Sequence, residues 1–248
     1  FRRASWVTAC SDDLRRRALT IGAIADRTEV VPYGVDTDRF KPDPAVRARV
    51  RQAQGITDAI PVVIAAGRLV RKKGFEYLID AIAQLKPRWP TLTVWLAGSG
   101  DLEPELRQRV MSREVADHVT FLGGVPQDEI GSLLAAADIV IVPSVHDDAG
   151  NVDGLPNILL EALASGTPVV ATPAGGITTV ARNDQTARIV PERNPDAIAI
   201  AIEEFLNNPK LRAQLGAAAR TLMCGTHTWE QMAKRFEETY ARATEEKR

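Results

Sequence analysis

The sequence predicts an α/β fold, a doubly wound parallel sheet with helices on both faces. Short apolar runs recur at 62–66, 93–97, 119–122, 139–142, 169–171 and 187–190. Several are rich in Val and Ile, and most lack the polar alternation of a half-exposed strand. That pattern marks strands buried on both faces. Between the runs, apolar residues fall at helical spacing, as in Phe75, Leu78, Ile79 and Ile82, and again in Ile130, Leu133, Leu134 and Ala137. Strands alternating with helices in this way stack βαβ units into one parallel sheet.

The flanks read differently. Residues 5–11 are strand-like, 12–19 open a helix and 29–32 form a short strand, so 1–40 reads as the remnant of another domain. The segment 41–60 begins Lys41-Pro42-Asp43-Pro44 and reads as a turn-rich linker. The main domain then runs over 61–226. In 227–248, Trp229, Met232, Ala233, Phe236 and Tyr240 repeat at helical spacing and predict an amphipathic helix whose apolar stripe needs a partner.

Bulk properties exclude several function classes. Among 248 residues, 31 Lys and Arg balance 32 Asp and Glu, so no basic field points to nucleic acid. The run at 15–17 reads as a solvated face; the run at 71–73 is a weaker case for that because of its setting. Cys10 and Cys224 stand far apart, with no zinc-like spacing, and are expected to be buried free thiols in a reducing compartment. No apolar stretch approaches the ~20 residues that span a bilayer, and no signal peptide is evident, so a cytoplasmic location is expected. The chain opens with Phe rather than Met, inside an amphipathic pattern, and reads as incomplete.

Ligands of such sheets sit beyond the carboxyl ends of the strands. Gly67-Arg68 follows the first strand of the main domain and leads through Lys73-Gly74 into a helix. A helix N-terminus there offers free N–H groups, Arg68 a planar fork and Lys73 a point charge, a set suited to a diphosphate without a metal. A solvated basic loop is the alternative. Further on, Asp153-Gly154-Leu155-Pro156-Asn157 precedes a helix and Glu161 lies inside it among apolar residues. A carboxylate in that setting needs partners, which ribose hydroxyls could supply, while Asp153 could meet sugar hydroxyls. The structural alternatives make Asp153 a helix cap and Glu161 an internal ion pair. His146-Asp147-Asp148 is disfavoured as a metal site, since the basic pair already neutralises phosphate.

One ordered set of motifs spans nearly the whole chain. It runs Val30-Val31-Pro32-Tyr33-Gly34-Val35-Asp36, Gly67-Arg68 with Lys73-Gly74, Phe121-Leu122-Gly123-Gly124-Val125, Ala137-Asp138, Pro143-Ser144, Asp153-Gly154-Leu155-Pro156-Asn157 with Leu160-Glu161-Ala162, Gly166-Thr167-Pro168, and Gly175-Gly176. The set resembles the family 4 retaining glycosyltransferases of GT-B architecture.

That resemblance implies two Rossmann-like domains, of which the chain holds the tail of the first and the complete nucleotide-sugar-binding second. It implies transfer of a hexose, with retention, from a nucleotide-diphospho-sugar to a glycan or lipid-linked acceptor. No cofactor or metal is implied, and peripheral association with a membrane would run through the N-terminal domain. Arg68 and Lys73 would hold the diphosphate, Glu161 the ribose and Asp153 the transferred sugar. Gly67, Val125, Gly154, Leu155, Pro156 and Asn157 would line the donor site, with the base against the backbone near Val125. The last helix would cross back to the first domain, and the isolated chain is expected to be inactive. Two positions depart from the family pattern. Asp153 stands for the usual Glu, which shortens its reach by about 1.5 Å, and Thr178 and Thr179 stand where Pro and Glu are common. The rival reading is a non-catalytic nucleotide-sugar-binding module or degenerate partner subunit. A two-domain nucleotide-sugar epimerase lacks the ordered motif set.

Overall fold

A computed structural model of the chain describes residues 1 and 3–245. It opens with β1 (Val7–Ala9), α1 (Asp12–Thr20) and β2 (Thr28–Val30); β1 and β2 pair in parallel. Ser11 caps the first helix, its hydroxyl accepting from the Leu14 amide at 3.3 Å.

The main domain contains α2 (Pro44–Ala53), β3 (Val62–Ala66), α3 (Phe75–Leu85), β4 (Thr93–Ala97), α4 (Glu103–Ser112), β5 (Val119–Gly123) and α5 (Gln127–Ala136). It continues through β6 (Ile139–Val142), α6 (Asn157–Ala164), β7 (Val169–Ala171), α7 (Ile177–Val180), β8 (Arg188–Ile189), α8 (Pro195–Asn207) and α9 (Pro209–Thr226). The last helix, α10, covers Trp229–Glu245, and residues 246–248 of its predicted span lie outside the described residues.

The six strands of the main sheet run parallel in the order β5-β4-β3-β6-β7-β8. The chain therefore starts in the middle, winds outward to β5, then returns to β6 beside β3 and winds the other way. The predicted strand runs all fall in this sheet; the last is reduced to two residues at its edge. Strand periodicity sorts the core in two. Val62 and Ile64 of β3 with Val140 and Val142 of β6 face one helical layer, where α2 packs on α5 and α6 on α9. Val63, Ala65, Ile139 and Ile141 face the other, formed by α3, α4 and α8.

Two expectations need correction. The segment 41–60 is more than a linker, because α2 occupies half of it. Asp43 caps that helix, its carboxylate accepting from the Val46 amide at 2.9 Å, and Pro44 takes the first helical position, where its missing N–H leaves no bond unmade. Arg51 then plunges into the core with 2% of its surface exposed. Its guanidinium donates to Asp138 Oδ2 at 2.6 Å and to the carbonyls of Ala136, Thr57 and Ile60 at 2.9–3.0 Å. Asp138 also accepts from Arg47 and from the Val62 amide, each at 2.8 Å. The second correction is Cys224, which is exposed on α9, while Cys10 is buried as expected. Its neighbour Met223 takes the buried face of the helix, and one step of 100° turns Cys224 outward.

The closing helix lies along residues 6–34. Glu29 receives Trp6 Nε1 at 2.8 Å, the Thr239 hydroxyl, and Arg242 at 2.7 Å, and the Gly34 amide meets Met232 sulfur at 3.1 Å. Polar contacts hold this junction more than the apolar stripe does, for Trp229 and Tyr240 are 55% and 66% exposed.

Replacing Asp138 with Ala would leave the buried Arg51 charge with carbonyl partners and the exposed Asp58 carboxylate 4.0 Å away. We expect Asp138→Ala to destabilise the fold by about 3–5 kcal/mol, measured as the shift in urea unfolding. A loss under about 1 kcal/mol would mean the carbonyls suffice.

Candidate active site

The strand order reverses between β3 and β6, and at such a switch point the loops leave in opposite directions and open a crevice. Here the crevice is a cavity of about 360 Å³. Six of the predicted residues line it: Gly67, Arg68 and Lys73 after β3, Val125 after β5, and Asn157 and Glu161 of α6. Gly98 and Ser99 after β4 complete the wall. Backbone bonds continue the ladder past the strand ends, from Gly67 N to Ala97 O at 2.9 Å, Leu69 N to Ser99 O at 2.9 Å and Gly98 N to Gly123 O at 2.6 Å. The loops are therefore fixed before any ligand arrives. At Gly67, φ is +149°, and a Cβ would lie 3.2 Å from Lys73 Cε, so glycine lets the lysine lie across the loop.

Lys73 does not stand alone. Its Nζ lies 2.7 Å from Asp153 Oδ2, while Lys72 Nζ lies 3.1 Å from Oδ1, and the Ser144 hydroxyl donates at 3.3 Å. Burial alone would raise the Asp153 carboxyl, but Lys73 and Lys72 outweigh it and hold the group below its ordinary value. Asp153 is positioned from behind by Gly175, whose hypothetical Cβ would fall 1.9 Å from the Asp153 carbonyl at a φ of +59°. No other residue lets that loop approach as closely. Arg68 differs from both lysines. It is exposed and, among the described residues, has no ion pair or side-chain hydrogen bond.

Glu161 is buried and, among the described residues, without an ion pair. Gln127 Nε2 donates to its Oε1 at 2.6 Å. Burial pushes this carboxyl up, and Gln127 and Arg39 offset that only in part. The two structural alternatives thus fall away: no side chain caps α6, and Glu161 is not half of a salt bridge. With Pro156 at the N-cap, no side-chain cap and no acid in the first turn, the N-terminus of α6 faces the cavity with no carboxylate on it; the Leu159 amide is bonded to the Pro156 carbonyl at 3.1 Å.

Asp153, Gly154, Leu155 and Pro156 do not line the cavity; the Asp153 carboxylate meets it only through Lys73, 2.7 Å away. Leu155 packs into the core, and Gly154 backs onto Cys10 and Leu14, where a Cβ would lie 2.7 Å from Leu14 Cδ1. The apolar side chain of Leu155 gains more by burial than by facing a polar cleft. The disfavoured metal triad points to separate partners. His146 pairs with Glu192 at 3.0 Å, Asp147 bonds within its own loop, and Asp148 meets Arg193 at 3.0 Å. Thr179 bonds the Asp12 amide at 3.2 Å, tying α7 to α1.

Sequence reasoning missed Lys72 and Gln127. Lys72 was visible only as a member of a basic run. Gln127 carried no signal, because its role arises where α5 packs beside α6.

Sheet order, the switch-point cleft and a last helix that returns to residues 1–40 define a Rossmann-like domain of the GT-B kind. The chain belongs to the glycosyl transferases group 1 family, whose pattern matches residues 46–222. It is 36% identical over 236 residues to a GDP-mannose-dependent alpha-(1-6)-phosphatidylinositol monomannoside mannosyltransferase of Mycolicibacterium smegmatis, covering 95% of the chain and 62% of that protein. It is 34% identical over 228 residues to a D-inositol 3-phosphate glycosyltransferase of Pseudarthrobacter chlorophenolicus, with 90% and 52% covered. Among solved structures, Anabaena Alr3699/HepE in complex with UDP superposes with a TM-score of 0.87 at 26% identity, over 97% of this chain and 64% of that one. The chain thus spans about three fifths of the first of these relatives.

The raised carboxyl of Glu161 makes a stability prediction. Below about pH 4 folded and unfolded chains both hold it protonated, so it carries no penalty. As pH rises through the folded value, keeping it charged and buried costs stability. We expect Glu161→Gln to melt higher than wild type at pH 7, with the gap closing as pH falls towards 4. A variant that melts lower at pH 7 would show that the charge is well solvated.

Proposed function

We propose that the chain is the nucleotide-sugar-binding part of a retaining hexosyltransferase, passing a hexose from a nucleoside diphosphate to a glycan or lipid-linked acceptor. The observation that carries this reading is the convergence of Arg68, Lys73 and the uncapped end of α6 on one switch-point cavity. A diphosphate leaving a sugar gains negative charge, and fixed cations with free helix N–H groups stabilise it as it forms. Arg68 and Lys73 hold the diphosphate and Glu161 accepts from the ribose hydroxyls. Asp153 accepts from the transferred sugar, and its shorter side chain is steadied by Lys72. Same-face attack, with the leaving phosphate taking the acceptor proton, gives retention.

The cations do the neutralising, so no metal or cofactor enters the proposal. Among nucleotides, the 36% identity to a GDP-mannose-dependent enzyme, against 26% to the UDP-bound neighbour, favours GDP-mannose as the first donor to test. Among the described residues no helix is long and apolar enough to cross a membrane. A cytoplasmic enzyme that meets lipid-linked acceptors peripherally fits this, with no nucleic-acid partner.

Calorimetric titration tests the assignment. Arg68→Ala and Lys73→Ala should each weaken nucleoside diphosphate binding by about 1.5–3 kcal/mol, the worth of a hydrogen bond to a charged group. Arg68→Ala should leave the melting temperature unchanged, since Arg68 has no partner to lose. Asp153→Asn should weaken GDP-mannose relative to GDP. Equal affinity of all three variants for both ligands would refute the assignment.

A further inference from the structure

A second cavity, of about 320 Å³, opens on the other side of Arg68. Four cations from two parts of the chain line it: Arg17 of α1, and Arg68, Arg71 and Lys72 of the loop after β3. Asp147 is the one carboxylate in its lining. That acid is already spent within its own loop. Its Oδ1 accepts the amides of Ala149 at 3.0 Å and Asn151 at 2.8 Å, and its Oδ2 accepts Asn151 Nδ2 at 3.1 Å. Four cations against this one carboxylate leave the lining cationic, although the chain as a whole carries a net charge of −1.

The counter-ions of these cations sit outside the lining. Arg17 lies 2.9 Å from Asp13 Oδ2, a buried oxygen with no hydrogen bond, so a ligand would share Arg17 with Asp13, whose other oxygen lies 3.4 Å from Arg16. Arg71 grips Glu105 with two bonds, but both side chains are about half exposed, where ion pairs contribute little. Lys72 stays 3.1 Å from Asp153 and lends its charge to the wall without leaving it. Arg68 has nothing to give up.

Resting on the reading above, we propose that this cavity seats a phosphoryl group carried by the acceptor. Guanidinium forks match phosphate oxygens two at a time, and Arg17 and Arg71 reach the cavity from separate elements, α1 and the loop after β3. Arg68 lines both cavities, so it stands between donor diphosphate and acceptor phosphate. Lys72 links the second cavity to Asp153, where the donor sugar would lie. An acceptor held by its phosphate at Arg17 and Arg71 would thus be tethered beside the reacting sugar, and a neutral glycan would lack that anchor. The phosphate could belong to a lipid headgroup or to a water-soluble sugar or polyol phosphate.

The test uses the whole chain saturated with GDP, so that the donor cavity is filled. Two phosphate-bearing probes are added in separate titrations: inositol 1-phosphate, and phosphatidylinositol in phosphatidylcholine vesicles. Free inositol, plain phosphatidylcholine vesicles and phosphatidylserine vesicles are the controls. At least one probe should bind above its controls. Arg17→Ala/Arg71→Ala should weaken it about tenfold or more while GDP affinity changes by less than about twofold. Binding of the soluble probe assigns a free phosphate ester, and binding of the vesicles alone assigns a lipid headgroup. Arg71→Ala by itself should give a partial loss, which guards against misfolding of the double variant. If neither probe exceeds its controls, or the variants bind as wild type does, the cavity is not an acceptor phosphate site. Failure of GDP itself to bind would instead sink the donor reading; the same probes on the free chain would then decide the cavity alone.

Discussion

The site depends on one carboxylate held between two lysines. Asp153 stands after β6 and Lys72 and Lys73 stand after β3, so their contacts close the crevice that the reversal of strand order opens. The backbone ties the same loops, with the Val145 amide donating to the Lys72 carbonyl at 2.9 Å. In the free chain the carboxylate supplies the negative charge that the lysines need. A bound diphosphate would take over part of that duty, drawing Lys73 away while Lys72 retains Asp153. The site is thereby kept in shape without ligand, and its charges avoid the penalty of standing unpaired in a half-buried cleft.

The two acids eight residues apart show how environment divides one chemistry into two roles. Asp153 has cations on both oxygens and stays ionised. Glu161 has an amide and a distant guanidinium, and burial pushes its carboxyl up. A neutral polar ligand with paired hydroxyls suits Glu161 because it solvates the charge without bringing another. Gln127 holds the unliganded carboxylate in place from α5.

Much of this was legible in the sequence, for reasons that differ by element. The buried strands announced themselves because parallel strands are apolar on both faces, and the loops after them because glycine is needed where backbones approach. Gly67 and Gly175 are such places. The helix at 44–53 was obscured because its polar face is long. Its one buried anchor, Arg51, looks on paper like any surface arginine, though Asp43-Pro44 was a readable start signal. Leu155 was counted with the ligand-facing residues because it sits inside the motif, yet its side chain turns to the core and only fixes the loop. The pairing of Lys72 with Asp153 and of Gln127 with Glu161 joins residues far apart in the chain. No periodicity encodes such contacts; the topology of the switch point creates them.

The claim that Glu161 meets a nucleotide ribose can be tested through its proton. Calorimetry of GDP-mannose binding at mildly acid pH, in two buffers of different ionisation enthalpy, measures protons released on binding. The donor's diphosphate diester has no proton to give in that range. Hydroxyl donors favour the charged carboxylate, so binding should release protons from wild type and not from Glu161→Gln. Equal proton release by the two proteins, or net uptake by wild type, would contradict the site described here.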